Sequence, residues 1–353
     1  MATLRGVLDL ASLASQLPDG SALGPELDLA GAPSRPILMI DADSGAAIET
    51  SQLDRAVLNL RSARAIVVAV SRSSEPPPAL TQAVDISISA GAMPPADRRT
   101  VPVPELAAAL DQLRASVMAN PVAALTLTWL MRRAAGLPAA DALVEESSAY
   151  STLLAGREFG GWLASRRAPR PIEAGERVRV ARDGGVLQVV LSRPGRRNAV
   201  DAAMRDALRE ALAIAEADPA LRVVISAEGP SFSAGGDLDE FGTATDVASA
   251  HLVRVVGSVG AAIHRIRDRV TVRVQGVCMG AGVELPAFAG RVIAARDAEF
   301  ALPEIAMGLI PGAGGTVSIT ARIGRHRALW FALTGTRLDA PTALEWGLVD
   351  AVE

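Results

Sequence analysis

One order of segments occurs twice in this chain and restricts the folds open to it. In RPILMIDADSGAAIETSQLDRAVLNLRSARAIVVAVSRS (35–73), a short apolar run, a loop, an amphipathic pattern of helical period and a second apolar run follow one another. GVLQVVLSRPGRRNAVDAAMRDALREALAIAEADPALRVVISAEG (185–229) repeats the order at nearly the same length. Short apolar runs bounded by turns read as strands buried on both faces, and two parallel strands need a crossover between them. Strand, helix, strand is therefore the βαβ unit of an α/β fold, and its recurrence predicts an internal duplication. In the second copy Met204, Leu208, Leu212 and Ala215 recur at helical spacing behind Asp201, a predicted N-cap. Upstream, Asp183-Gly184-Gly185 predicts a hairpin between VRVARD and VLQVVL.

The same grammar continues with a helix in HLVRVVGSVGAAIHRIRD, a strand in TVRVQG, a glycine-rich turn, a helix in ELPAFAG and a strand in RVIAARD. From Glu105 to Arg167 the pattern is helical throughout. ASRRAPRPIEAGERVRVAR (Ala164 to Arg182) has two prolines and many arginines and reads as an exposed connector, which predicts domains at 1–170 and 171–353.

Composition removes several chemistries. All 35 basic residues are arginine, so a Schiff-base lysine and the lysine of a phosphate-gripping P-loop are excluded. Three histidines (His251, His264, His326) and the single Cys278 are too few for the usual Cys/His zinc sites, and no metal is expected. One cysteine allows no intrachain disulfide. The segment MATLRGVLDLASLASQL carries Asp9 within its apolar stretch, so no signal peptide is expected. The best apolar run, ANPVAALTLTWLM, is too short for a bilayer; the expectation is a cytoplasmic protein without a membrane partner. A net charge of −4 and 3% aromatic residues argue against nucleic acid.

Two glycine-rich turns can carry chemistry. SFSAGGDLDEF (Ser231 to Phe241) follows a predicted buried strand, and small residues there let a ligand approach backbone N–H groups. QGVCMGAGVEL (Gln275 to Leu285) is a strand-to-helix turn that would present the Ala281 N–H near a helix N-terminus. Glu284 and Glu304 lie in otherwise apolar segments, where a carboxylate is costly to bury unless paired, hydrogen-bonded or protonated. Two of them form the arrangement that acid/base chemistry uses; taken singly, each reads as structural, a helix cap or an arginine partner. Cys278 reads as a small packing residue and the histidines as polar surface or interface groups on helices.

The stretches LSRPGRRNAV, FSAGGDLDEF, GVCMGAGVEL, FALPEIAMGLIPGAGGT, RIGRHRAL and TALEWGLVDAV, in that order, resemble the enoyl-CoA hydratase/isomerase (crotonase) superfamily over about Glu176 to Glu353. The resemblance implies a crotonase-like spiral of ββα units and an acyl-CoA substrate. It implies an oxyanion hole from the Gly236 and Ala281 N–H groups, and Glu284 and Glu304 as the two carboxylates that act on one water. Coenzyme A, brought in as part of the substrate with no separate cofactor, would run along Ala234, Asp237, Leu238 and Asp239, near Ala199, with Arg196 or Arg197 at phosphate. Retention of both glutamates favours hydration of a 2-enoyl-CoA, as in fatty acid metabolism; isomerisation or C–C hydrolysis on the same scaffold is the alternative, and a non-catalytic acyl-CoA-binding subunit the third. A homo-oligomer, a trimer or dimer of trimers, is the family's implication.

A typical member continues beyond the VDAV strand into helices that cover the site, whereas this sequence stops there. ANPVAALTLTWLMRRAAGLPAADALVEESSAYSTLLAGREFGGWLASRR in the first half resembles those helices. The expectation is a degenerate N-terminal copy, silent because no AGxD or GAGxE stretch precedes Ser151, that supplies the lid within its own chain or to a neighbour.

Overall fold

Two units make up the computed structural model, which describes residues 7–15, 23–72, 76–90, 98–171 and 174–353. Parts of the N-terminal segment (1–6, 16–17), Ser73 and two connector residues (172–173) lie outside the described residues.

The first unit, Met1–Arg133 with Gly324–Thr334, is built on five parallel strands paired in chain order: β1 (Val7–Asp9), β2 (Ile37–Asp41), β3 (Ile66–Ser71), β4 (Ile86–Ser89) and β5 (Thr100–Pro102). β3, IVVAVS, is buried along its whole length, as its unbroken apolar run requires. Helices α1 (Leu10–Ala14), α2 (Thr50–Ser62) and α3 (Pro78–Ala83) alternate with the strands; α4 (Leu106–Ala119) and α5 (Pro121–Arg133) follow. Leu10, Leu13, Ile40, Leu60, Val67 and Leu80 meet in the core. Glu49 and Gln52 close a capping box on α2.

The helix Arg325–Thr334, from the far end of the sequence, belongs to this unit, and His326 through Leu333 are all buried. Arg327 lies within the core and donates to the Thr100 carbonyl at 3.3 Å. Arg325 donates to Asp85 at 3.2 Å and to the Val84 carbonyl at 2.9 Å. Asp85, itself buried, also accepts from Arg132 Nε at 2.7 Å and from the Val67 amide at 2.8 Å. His326 is thus no surface group: burial first, then Arg325 and Arg99, push its pKa down to about 3. Asp85→Ala leaves two partly buried arginines without their shared anion, and a loss of roughly 3 kcal/mol is expected in denaturant melts. An unchanged midpoint would show that Asp85 holds nothing together.

The second unit, Ala134–Ile323 with Gly335–Glu353, begins with helices α6 (Ala139–Leu154) and α7 (Arg157–Ala164). The predicted hairpin follows as β6 (Val178–Asp183) and β7 (Val186–Leu191), then α8 (Ala202–Ala217) and β8 (Arg222–Ala227). Asp201 caps α8, its carboxylate accepting from the Met204 amide at 2.8 Å. Next come α9 (Val247–Val256), α10 (Val259–Arg265), β9 (Val270–Val274), β10 (Val277–Met279), α11 (Ala281–Glu284), β11 (Arg291–Ala294), β12 (Glu299–Ala301) and α12 (Gly315–Ile323). Past the Arg325–Thr334 helix (α13) lie β13 (Leu338–Asp339), α14 (Ala340–Trp346) and β14 (Ala351–Val352). The main sheet runs β14-β11-β9-β8-β7-β6, parallel except for the hairpin, and a small sheet runs β10-β12-β13. The expectation of a mixed α/β fold holds.

Three features differ from the sequence reading. The domain boundary does not fall at 170/171, because α6 packs on α9, α10 and α12 and α7 on the 304–307 turn, all within the second unit. Gly308 shows how close that approach is: a Cβ there would meet the Phe159 amide nitrogen at 2.6 Å. The predicted ELPAFAG helix is instead a short α11 ending at Glu284 and a 3₁₀ turn at Pro286–Phe288, since Pro286 has no N–H to continue an α-helix. Val247–Arg265 is long and apolar enough to cross a membrane by length and composition, although no such run was anticipated. In the structure it is interrupted at Gly257–Ser258, where Ser258 Oγ accepts from the Ala261 amide and caps α10.

Candidate functional site

One parallel bridge, Val200 with Gly236, ties the first glycine-rich turn to the segment before α8; a second, Ser233 with Cys278, lays the two turns side by side. Gly235 (φ 90°) admits this contact, because a Cβ would stand 2.7 Å from the Met279 carbonyl oxygen. Behind the first turn, Asn198 Nδ2 donates to the Glu228 and Ser231 carbonyls at 2.8 and 2.9 Å. Asp237 is locked by Arg193 at 2.6 Å and accepts from the Asp239 amide at 3.0 Å. With both loops fixed, Gly236 and Ala281 line one cavity of 880 Å³, and the N–H of neither meets an acceptor among the described residues.

Glu284 and Glu304 line the same cavity, both buried. Glu284 Oε2 accepts from the Ala313 and Gly315 amides, each at 2.8 Å. Glu304 leads a 3₁₀ turn after β12, and its Oε2 is buried with no hydrogen-bond partner. A third buried carboxylate, Glu146 of α6, was missed by the sequence reading. Its Oε1 accepts from the Gly314 amide at 2.8 Å, and its Oε2 accepts from the Thr316 amide at 3.0 Å and hydroxyl at 2.6 Å. The consecutive N–H groups of 313–316 are thus shared alternately between Glu284 and Glu146. The available signal was an acidic residue on the stripe Leu143, Glu146, Ser147, Tyr150, Leu154 of one helix face, all of which line the cavity.

Burial raises all three carboxyl pKa values. Glu304 and Glu146 reach about 7, Glu146 against the opposing hydrogen bonds from Thr316 and Gly314. Glu284 is lifted well above the ordinary value by burial and then by repulsion from Glu304 and Glu146. A carboxyl that binds its proton more tightly folded than unfolded adds stability that is complete below the unfolded pKa and is lost as pH rises through the folded one. Melting temperature is therefore expected to fall between about pH 5 and pH 8, and Glu304→Gln to flatten that fall. A melting point that climbs over the interval contradicts the assignment.

Of the sequence-derived site residues, Gly236, Asp237, Ala281, Glu284 and Glu304 line the cavity; Arg196, Arg197, Ala199, Ala234, Leu238 and Asp239 do not. Arg196 donates to Asp239 at 2.9 Å and to the Pro171 carbonyl at 3.1 Å. Asp239 also accepts from Arg170 at 2.9 Å, and against the upward push of burial Arg170 and Arg196 hold its pKa below the usual carboxylate value. Arg197 is exposed in the left-handed region (φ 51°), and its carbonyl accepts from the Ala234 amide at 2.9 Å. Ala199 is buried, its carbonyl accepting from Arg193 at 2.9 Å, and Leu238 is exposed. Cys278 is fully buried and burial pushes its thiol pKa up, as a packing residue requires. No group of metal ligands occurs among the described residues.

Residues 181–353 match the family model described as Enoyl-CoA hydratase/isomerase. The mitochondrial enoyl-CoA hydratase of Pongo abelii is 34% identical over 171 residues, which is 48% of this chain and 57% of that protein. The 2,3-dehydroadipyl-CoA hydratase of Escherichia coli K12 is 34% identical over 49% of this chain and 68% of its own length. The 1,2-epoxyphenylacetyl-CoA isomerase of the same organism is 35% identical over 47% of this chain and 65% of its own. The crystal structure of an enoyl-CoA hydratase from Thermoplasma volcanium matches 50% of this chain and 71% of its own with a TM-score of 0.47 at 35% identity. The chain thus spans little more than half of the first of these relatives and about two thirds of the others. With the two glycine turns, both glutamates and the PEIAMGLIPGAGG loop inside the matched segment, the chain belongs to the enoyl-CoA hydratase/isomerase (crotonase) family.

Proposed function

We propose that this protein hydrates a 2-enoyl-CoA to a 3-hydroxyacyl-CoA. The observation that carries the reading is the meeting, in one cavity, of two buried carboxylates with two amide N–H groups that have no acceptor of their own. When water adds at C3, the conjugated thioester becomes an enolate and charge gathers on the thioester oxygen. The Gly236 and Ala281 N–H groups would receive that oxygen, each worth about 3 kcal/mol if oxyanion-hole magnitudes transfer. Repulsion between Glu284 and Glu304 favours a single proton on the pair near neutral pH. The Ala313 and Gly315 N–H groups on Glu284 Oε2 oppose the rise that burial and Glu304 impose on it and fix its orientation, and in this reading Glu284 takes the proton of the attacking water. Glu304, with Oε2 unpartnered, delivers a proton to C2. The hydroxyl of the water ends on C3, its proton on Glu284 and the Glu304 proton on C2; passage of one proton from Glu284 back to Glu304 then restores the starting states.

The test follows loss of the conjugated absorbance of crotonyl-CoA in ¹⁸O-labelled water. Label at C3 supports hydration; an unlabelled, double-bond-shifted product assigns the site to isomerisation instead. A bell-shaped rate profile is expected, because both carboxyls are protonated in acid and both ionised in alkali. A rate that rises continuously from pH 5 to pH 9 rules out the shared proton.

The architecture also supports the expectation of an eroded N-terminal copy with a borrowed lid. The first unit pairs its parallel strands in chain order, as the second unit's main sheet does, and α6 and α7 wall the cavity. Residues 171–353 alone lack those walls and leave the buried residues of α13 uncovered. That fragment is expected to be insoluble and inactive; a soluble, active fragment overturns the assignment.

A further inference from the structure

Among the described residues, two arginines line the cavity. Arg205 is paired with Asp206 at 2.7 Å. Arg254, on α9, has no carboxylate within ion-pairing distance among the described residues, although it is half-buried. Its guanidinium stacks 4.8 Å over the Tyr150 ring, its Nε donates to Ser147 Oγ at 3.2 Å, and its Nη2 donates to Ser151 Oγ. Those two hydroxyls are neutral and engage two of five N–H donors. Glu146 attracts the cation from farther off, but its oxygens are held by Gly314 and Thr316. Burial lowers the Arg254 pKa from the ordinary arginine value, and arginine remains a cation throughout the physiological range. A desolvated guanidinium with free donors and no counter-ion is matched by a planar anion that accepts two parallel N–H bonds.

Resting on the acyl-CoA reading above, we propose that Arg254 makes the site selective for thioesters whose acyl chain ends in a carboxylate, received by the guanidinium beside Ser151. The position favours the acyl end of the substrate over its phosphates. Tyr150, against which Arg254 stacks, lies within electrostatic reach of Glu304 and Glu284, so the guanidinium shares the wall on which the reacting carbons must lie. The phosphates of a CoA thioester stand a full pantetheine arm away from those carbons.

The experiment compares equilibrium binding of adipyl-CoA, hexanoyl-CoA and free CoA to the full chain, to Arg254→Met and to Ser151→Ala. The two acyl chains have equal length and differ in a terminal carboxylate against a methyl. The wild type is expected to bind adipyl-CoA at least tenfold more tightly than hexanoyl-CoA. Arg254→Met should lose that tenfold while holding hexanoyl-CoA and free CoA within threefold, which also shows that the variant is folded. Ser151→Ala should weaken adipyl-CoA alone, by about threefold, and decides the matter if the arginine variant does not fold. Equal wild-type affinity for the two thioesters overturns the proposal, as does an Arg254→Met variant that weakens all three ligands alike, which places the arginine on a phosphate. Failure of the underlying reading is distinct: a chain that binds none of the three is no acyl-CoA protein. One that discriminates adipyl from hexanoyl yet turns over neither 2-enoyl form keeps Arg254 and loses the hydratase.

Discussion

Glu304→Gln is expected to lower kcat/KM for crotonyl-CoA by about 10³-fold with little change in the affinity for a saturated acyl-CoA. General acid–base groups contribute roughly 10²–10⁴-fold, and this residue is asked to move a proton to carbon, the slower kind of transfer. Glutamine keeps the volume of the side chain and removes only the exchangeable carboxyl proton, so packing around the 304–307 turn is preserved. The variant should also be more stable than the wild type at pH 8, because it no longer buries a carboxyl that ionises near pH 7. Loss of turnover with a raised melting point marks a group retained for chemistry at the expense of stability. Full activity with Glu304→Gln would remove Glu304 from the mechanism.

The second large effect is expected at Glu146→Ala. The substitution leaves the Gly314 and Thr316 amides and the Thr316 hydroxyl without their acceptor in a buried setting. Unpaired buried donors cost roughly 1–3 kcal/mol each, so a loss of about 4 kcal/mol and a melting point lower by about 10 °C are expected. The effect reaches catalysis because the intervening Ala313 and Gly315 amides hold Glu284. A loosened loop misplaces that carboxylate, and kcat should fall more than the affinity for a saturated acyl-CoA. Glu146→Gln, which retains one oxygen acceptor, should recover part of both losses. A melting point and kcat unchanged in the alanine variant would mean that the loop is held by its own chain alone.

Local signals were read correctly and non-local ones were not. The hairpin at Asp183-Gly184-Gly185 and the Asp201 cap depend on residues within a few positions of one another, which a sequence displays directly. The two glycine turns and the glutamates after them were singled out through the family resemblance, since taken alone each reads as a packing turn, a cap or an arginine partner; Gly236, Ala281, Glu284 and Glu304 line one cavity. Glu146 was missed because its partners are backbone amides 168 and 170 positions away, and an amide has no signature in the sequence. The resemblance placed Arg196 or Arg197 at phosphate; the Arg196 guanidinium donates to Asp239 and to the Pro171 carbonyl, partners 43 and 25 positions away that local sequence does not display. The buried position of His326 had a signal, since ALWFAL is apolar on every side of its helix, the mark of an element enclosed all round. The domain boundary differs for a related reason: α6 and α7 join the unit whose helices and turn bury their apolar faces, α9, α10, α12 and the 304–307 turn, whatever their place in the chain.

The composition of the first unit from two distant segments bears on how the chain is made. Synthesis runs at roughly 5–20 residues per second and tends to complete domains in order from the N-terminus. Here Ala134–Ile323, about 190 residues, separate Arg133 from the helix that fills the first unit's core. For roughly 10–40 s the nascent chain therefore carries a parallel sheet with an uncovered apolar face and Asp85 without Arg325. The helices that wall the cavity meet the same delay, since α6 and α7 leave the ribosome before α9, α10, α12 and the 304–307 turn on which they pack. Neither unit can finish before the other has nearly done so, which makes this chain a candidate client for the chaperones that shelter half-made sheets.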